Sequence, residues 1–280
     1  QWKRVLGHAR HGPCVLSWPC AAAYRCWLQA ARTFKTMEVV KACPGTDSAG
    51  ASYESHLELW SDDKKRASWY QKAADHWCAQ AATLDGVLGG FPETSEPDLR
   101  ESRRFLDLIA RGPKPPERST VLDCGAGIGR VTKGLLVDQF EVVDLVEPNA
   151  RLMEEAKKQV GPRGDRFITC SLEHFEPEEG RYDVIWAQWV LLYLTDEDLV
   201  SFLQRCKKGL RGPNGMIFVK ENVIIEGQWT VDRDDNSISR TDGMYKEIFK
   251  KAGLVLQEER RQAAWPKDLV PVKMYALRKE

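Results

Sequence analysis

The chain of 280 residues lacks the spacings that would give its cysteines chemistry. Its eight cysteines contain no C-x-x-C pair and no zinc-type arrangement, so no metal site and no dithiol redox centre is expected. Cys124 and Cys170 lie in or beside apolar runs and read as small core residues, which fits a reducing compartment. A run of about 18 apolar residues is also missing, so no transmembrane helix and no membrane partner are expected. Nor is there a surplus of either charge, with 41 Lys and Arg against 41 Asp and Glu. Proteins that bind nucleic acid by displacing counterions carry a basic excess, so direct nucleic-acid binding is not expected.

Acids are missing from the first 36 residues, which hold six basic side chains. The rest of the chain is left with 35 basic and 41 acidic residues, an acidic body that favours cationic partners. Residues 1–36 have the basic, acid-free, Ala- and Arg-rich composition of an organellar transit peptide, although they are poor in Ser. The alternative is non-native coding sequence, because Met37 opens a stretch that would make an ordinary start. Either reading predicts poor order over 1–52, where "PGTDSAGAS" has the composition of a linker.

What is present afterwards is periodic. Trp69, Ala73, Trp77 and Ala81 recur at i, i+4, the face of one helix, and a second helix is expected over Asp98–Arg111 before Gly112-Pro113 stops it. Strand and helix patterns then alternate: "STVLDCG", "GRVTKGLLVDQF", "EVVDLVEP", "NARLMEEAKKQVG" with an Asn149 cap, a strand within "DRFITCSLEHF", another within "YDVIWAQWVLLYL", a capped helix from Thr195, "GMIFVKEN" and "MYKEIFKKAGL". Two last strands with no helix between them should pair antiparallel. This order predicts an α/β fold, a mostly parallel sheet with helices on both faces.

The centre of the pattern is "VLDCGAGIGR". Its glycines, Gly125, Gly127 and Gly129, follow G-x-G-x-G, one residue tighter than the dinucleotide fingerprint. Asp123 ends the preceding strand and Glu147 ends the next, where an acid accepts hydrogen bonds from ribose hydroxyls. Taken alone, such a loop can be only a tight β–α turn. With its flanking acids it resembles motif I of class I S-adenosylmethionine-dependent methyltransferases, and "LVEP" resembles their ribose-binding strand end.

More of the chain is similar to one family. "WYQKAADHW", "TLDGVLGGF", "LDCGAGIGRVTKGLL", "YDVIWAQWVLLYLTD", "FLQRCKKGLRGPNGMIFVKEN" and "EGQWTVDRDDNSISR" together resemble the protein α-N-terminal methyltransferases, from about Tyr70 to the C-terminus. The resemblance implies a Rossmann-like class I domain over 113–280 with a seven-stranded sheet. A helical extension over 53–112 would cover the site. It also implies methyl transfer from S-adenosylmethionine to the free amino group of proteins beginning Xaa-Pro-Lys. The implied partners are the N-terminal tails of substrate proteins, met by a monomer in the cytoplasm and nucleus; organellar targeting by residues 1–36 stays open.

By that resemblance Gly125, Gly127, Gly129, Arg130, Glu147, Leu172, Gln188 and Leu88 contact the cofactor. Arg130 is apt for the methionine carboxylate, since a guanidinium can hold it through two hydrogen bonds. Trp77 and Trp189 would flank the substrate proline, Asn222 would bond the peptide backbone, Asp232 would meet the substrate lysine, and Ser237 would contact the peptide. Asp235 would stand at the amine, with Asp234 a competitor because this loop is one residue longer than the family pattern. Tyr193 replaces a histidine common in the family. A tyrosine, with a pKa near 10, is a poor base at neutral pH, which leaves the deprotonation to Asp235. Two other readings stay open: a small-molecule N- or O-methyltransferase of the same fold, and a catalytically silent binding module.

Overall fold

The computed structural model describes residues 41–280. The expectations for residues 1–40 lie outside them. The end of the predicted linker, however, is folded. Gly45–Asp47 forms strand β1 and Ser52–Tyr53 forms β2, paired antiparallel. Asp47 ties the turn between them: one carboxylate oxygen accepts from the Ala49 and Ala51 amides and the other from the Tyr53 hydroxyl at 2.7 Å. Turn-forming residues are common to linkers and tight turns. The decision falls to a distant partner, because β1 runs parallel to Trp229–Val231 and Gly45 lies against the Trp229 ring.

Helix α1 (Asp63–Ala79) starts at an Asp62 cap that accepts from the Lys65 amide. Trp69 and Ala73 of its predicted face are buried and Trp77 is half-buried, but the helix ends before Ala81. The short α2 (Leu84–Val87) is capped by Thr83. In α3 (Ser95–Ala110), Phe105, Leu106 and Ile109 bury one stripe against the sheet, with Phe105 edge-on to Phe218.

The central sheet comprises β3 (Thr120–Cys124), β4 (Val142–Val146), β5 (Phe167–Ile168), β6 (Val184–Gln188), β7 (Met216–Asn222), β10 (Leu254–Arg261) and β11 (Val272–Lys279). Their order is β10-β11-β7-β6-β3-β4-β5. Strands β3 to β7 are parallel, whereas β11 runs antiparallel to β10, as the missing crossover predicts, and also to β7. Alternate strand residues feed two cores. Leu122, Ile185, Ile217 and Val219 pack with α6 (Asp196–Gly209) and α7 (Asp242–Lys251); Val121, Val184, Trp186 and Phe218 pack with α3, α4 (Arg130–Gly134) and α5 (Ala150–Val160).

Three expectations need correction. The helix predicted from "GRVTKGLLVDQF" is interrupted after Gly134, whose added Cβ would stand 2.5 Å from Leu99 of α3; a 3-10 turn over Leu136–Asp138 follows. Strand β5 is only two residues long, at the sheet edge. The acidic stretch read as a loop is a hairpin. Its strands β8 (Trp229–Asp232) and β9 (Ser237–Ser239) complete a second sheet, ordered β2-β1-β8-β9.

Candidate active site

Strand β3 sits where the chain turns from building the sheet in one direction to building it in the other, the point at which open α/β sheets bind ligands. Gly125, Gly127 and Gly129 follow it with φ of 69°, 56° and 78°, a left-handed conformation that only glycine adopts cheaply. Two of them also admit a close neighbour. A Cβ on Gly125 would stand 2.5 Å from Val190, and one on Gly129 would stand 2.9 Å from Val160. Gly127 differs, because the nearest atom to its absent Cβ is Val87 Cγ1 at 3.9 Å. Gly127 is only partly buried, and Val87, followed in the chain by the buried Leu88, stands beside it.

Both flanking acids hold this loop. Asp123 accepts from the Thr132 hydroxyl at 2.6 Å, and burial pushes its pKa up to about 6. Glu147 accepts from the Gly127 amide at 3.0 Å on one oxygen and from the Asn149 amide at 2.8 Å on the other; burial pushes it up to about 7. Each Glu147 oxygen keeps a lone pair for a further donor. Leu172 is buried beyond β5, and its carbonyl accepts from Arg205 at 2.7 Å.

Arg130 and Gln188 meet on a residue that the motifs did not point to. Asp98, fully buried on α3, accepts from Arg130 Nη1 at 2.7 Å and from Gln188 Nε2 at 2.9 Å, and pairs with Lys220 Nζ at 2.5 Å. Burial alone would raise Asp98, yet Lys220 and Arg130 hold it below the ordinary carboxylate value. The Trp189 ring lies 5.3 Å from the Arg130 guanidinium. A signal was present in the sequence: Asp98 and Ser102 continue the buried stripe of Phe105 and Ile109, and Lys220 with Glu221 interrupts a buried strand.

At the other end of the crevice the structure brings together Trp77, Tyr193 and Asp235. The Tyr193 hydroxyl donates to Asp235 Oδ2 at 3.0 Å, and Trp77 meets the tyrosine ring edge-on at 6.1 Å. Burial, then the Asp235 charge, holds the Tyr193 phenol well above its usual pKa. Asp235 Oδ1 accepts from the Ser237 amide, and Asp232 stands opposite Ser237 in the hairpin register. Asp234 is exposed at the tip, with its amide on Asp232 Oδ1. Of the two aspartates, Asp235 is the one whose carboxylate accepts from the Tyr193 hydroxyl.

The turn that carries Tyr193 is held from beneath. Arg240, wholly buried, donates to the carbonyls of Leu191 and Leu194 and pairs with Asp196, which also faces His56 at 2.9 Å. Glu221 Oε1 accepts from the Val190 and Leu191 amides; burial pushes this acid up to about 8. Trp69 Nε1 donates to the Tyr193 carbonyl at 2.7 Å. Trp189, just before the turn, takes φ of 52°, a strained conformation for a non-glycine residue. Asn222 ends β7, with its Oδ1 buried and without a protein partner among the described residues.

The donor set suits a nucleoside carrying an amino-acid tail: bare backbone at Gly127, an acid at the end of β4, and a guanidinium beside the loop. Fold and site together define a class I S-adenosylmethionine-dependent methyltransferase. Residues 65–278 match the family of AdoMet-dependent proline di-methyltransferases. The N-terminal Xaa-Pro-Lys N-methyltransferase 1-B of Xenopus laevis is 44% identical over 79% of this chain and 99% of its own length. The α N-terminal protein methyltransferase 1 of Arabidopsis thaliana is 38% identical over 83% of this chain and 90% of its own. A solved S-adenosylmethionine-dependent methyltransferase of Leishmania major superposes with a TM-score of 0.78 at 40% identity, covering 85% of this chain and 96% of that one. The chain belongs to the AdoMet-dependent proline di-methyltransferase family.

Proposed function

We propose that this chain methylates the free α-amino group of proteins beginning Xaa-Pro-Lys. The Xenopus relative carries that specificity in its name, and the observation that carries the reading here is the Asp235 carboxylate, bonded by Tyr193, whose ring Trp77 meets edge-on. S-adenosylmethionine supplies a methyl group on a sulfonium. Gly127, Arg130, Glu147, Gln188, Leu172 and Leu88 would hold it, and the fit rests on the left-handed, only partly buried Gly127 backbone and on the Glu147 oxygens that keep lone pairs for further donors.

A free α-amino group has a pKa of about 7.7–8.0 and enters mostly protonated at neutral pH. Asp235 takes its proton, directly or through a water. The neutral amine so produced is the form that could accept the methyl group, in line with the sulfonium that would carry it and the thioether that would leave. Tyr193 donates to Asp235 and fixes the carboxylate's aim. Trp77 and Trp189 exclude water and flank the substrate proline, so the amine meets the methyl in one orientation. Asn222 offers its unpaired Oδ1 to the peptide backbone, Asp232 meets the substrate lysine, and Ser237 steadies the hairpin behind them.

The test is mass spectrometry of a peptide beginning Pro-Pro-Lys after incubation with the cofactor. Additions of one or two methyl groups are expected, because the secondary amine of an N-terminal proline becomes a quaternary ammonium at two, with none on the same peptide acetylated at its amino terminus. Methylation of the acetylated peptide, or none of either while the cofactor still binds, would refute the reading. Asp232→Asn should weaken Xaa-Pro-Lys peptides more than Xaa-Pro-Ala peptides in KM; equal weakening would remove Asp232 from the lysine.

A further inference from the structure

The cluster around Asp98 joins four elements: α3 through Asp98, α4 through Arg130, β6 through Gln188 and β7 through Lys220. Asp98 Oδ1 takes Lys220 Nζ and Gln188 Nε2; Asp98 Oδ2 takes Arg130 Nη1 and the same amide. Lys220 is further held by the Ser102 hydroxyl at 2.8 Å and the Asp98 carbonyl at 3.0 Å. Within the hydrogen-bonded cluster one anion meets two cations, and two further carboxylates lie within electrostatic reach, Asp123 of Arg130 and Glu101 of Lys220. The cluster is buried: the Asp98 side chain is 0% exposed, Lys220 1% and Arg130 9%.

We infer that Asp98 is a positioning residue for the amino-acid end of the cofactor, and that Lys220 is the counter-charge that lets it act. Asp98 fixes one guanidinium nitrogen of Arg130 and turns the Gln188 amide, while Trp189 covers a guanidinium face. The donors of Arg130 that remain are aimed before the ligand arrives. Lys220 cancels Asp98, so the acid orients Arg130 without neutralising it, and the free face of the guanidinium is left for an α-carboxylate. This inference rests on Arg130 taking that carboxylate. The simpler role, a polar bolt between α3 and the sheet, would affect every ligand equally.

Two ligands separate these roles: S-adenosylhomocysteine, and 5′-methylthioadenosine, the same thioether nucleoside without the amino-acid tail. Calorimetric titration of the purified full chain with each gives a ratio of affinities. Asp98→Asn removes the orienting charge. Burial already pulls the Lys220 ammonium below its ordinary pKa, and loss of its anion drives it further toward the neutral form, so the charge at the site changes little and the aim of Arg130 is what is lost. Lys220→Met preserves bulk and leaves Asp98 and Arg130 as a neutral pair. In both variants S-adenosylhomocysteine should weaken on the order of tenfold or more, the loss of a charge-assisted hydrogen bond, while methylthioadenosine holds within about twofold. Arg130→Met should abolish the ratio by itself. In that background Asp98→Asn should change nothing further.

Equal weakening of both ligands, or tighter S-adenosylhomocysteine binding in Asp98→Asn, overturns the inference. If Arg130→Met lowers the ratio and neither Asp98→Asn nor Lys220→Met does, Asp98 loses its role while the Arg130 assignment stands. An unchanged ratio in Arg130→Met removes both. Should Asp98→Asn fail to fold, Lys220→Met decides on the same readout.

Discussion

The two ends of the crevice are built differently. At the cofactor end the acids are buried and held: Asp123 by Thr132, Glu147 by two backbone amides, Asp98 by Arg130, Lys220 and Gln188. At the peptide end the acids ride on a hairpin of a separate small sheet, with Asp232 and Asp235 half-buried and Asp234 exposed. One end is preorganised for a constant ligand, which lowers the ordering cost of binding. The other keeps its charge near solvent, where it can meet a cationic chain terminus without the penalty of an isolated buried ion.

Substitutions at the two ends should therefore fail in different ways. The largest effect is expected at the peptide end: Asp235→Asn should lower kcat on the order of a thousandfold while calorimetry shows unchanged S-adenosylhomocysteine affinity. A parallel loss of affinity would mean that the two ends are not separable. Beneath the peptide end, Arg240→Met breaks a fully buried ion pair and should cost about 3–5 kcal/mol in urea unfolding. A loss below about 1 kcal/mol would show that the 191–194 turn does not depend on it.

At the cofactor end, Gly125→Ala places a Cβ against Val190 at a left-handed φ and should cost about 2 kcal/mol, read as a lower Tm. Glu147 yields a pH prediction. Its folded pKa near 7 lies above the unfolded value of about 4.3, so the folded state binds the extra proton between them. Stability from this group thus falls as pH rises from about 4 to 7 and levels above it. Ribose hydroxyls need the ionised form, so S-adenosylhomocysteine affinity should rise about tenfold from pH 6 to 8, with a flat profile in Glu147→Gln. The smallest effect is Tyr193→Phe. Asp235 keeps its bond from the Ser237 amide, so kcat should fall only about threefold to fivefold. A loss as large as that of Asp235→Asn would make the phenol part of the proton transfer itself.

The cofactor end was largely legible because its chemistry is local. Strand, glycine loop and helix are consecutive, and the left-handed positions of Gly125, Gly127 and Gly129 can be read from residue type alone. Asn149 and Thr195 cap the helices predicted for them. The peptide end was legible only through family resemblance, which pointed to Asp235, Tyr193 and Trp77 without showing that they touch. Asp98 went unread as a site residue because a lone acid on an amphipathic helix usually faces water.

By itself the sequence determined the alternation of strands and helices, the parallel sheet with its antiparallel end, and the loop at its switch point, because backbone preference and hydrophobic period act over neighbours. Only the tertiary structure decided that "PGTDSAGAS" holds a strand, that the acidic stretch is a hairpin, and that Arg130 is aimed by an acid from another helix. Those outcomes depend on partners distant in the chain, and pairing and burial between such partners leave no period to read.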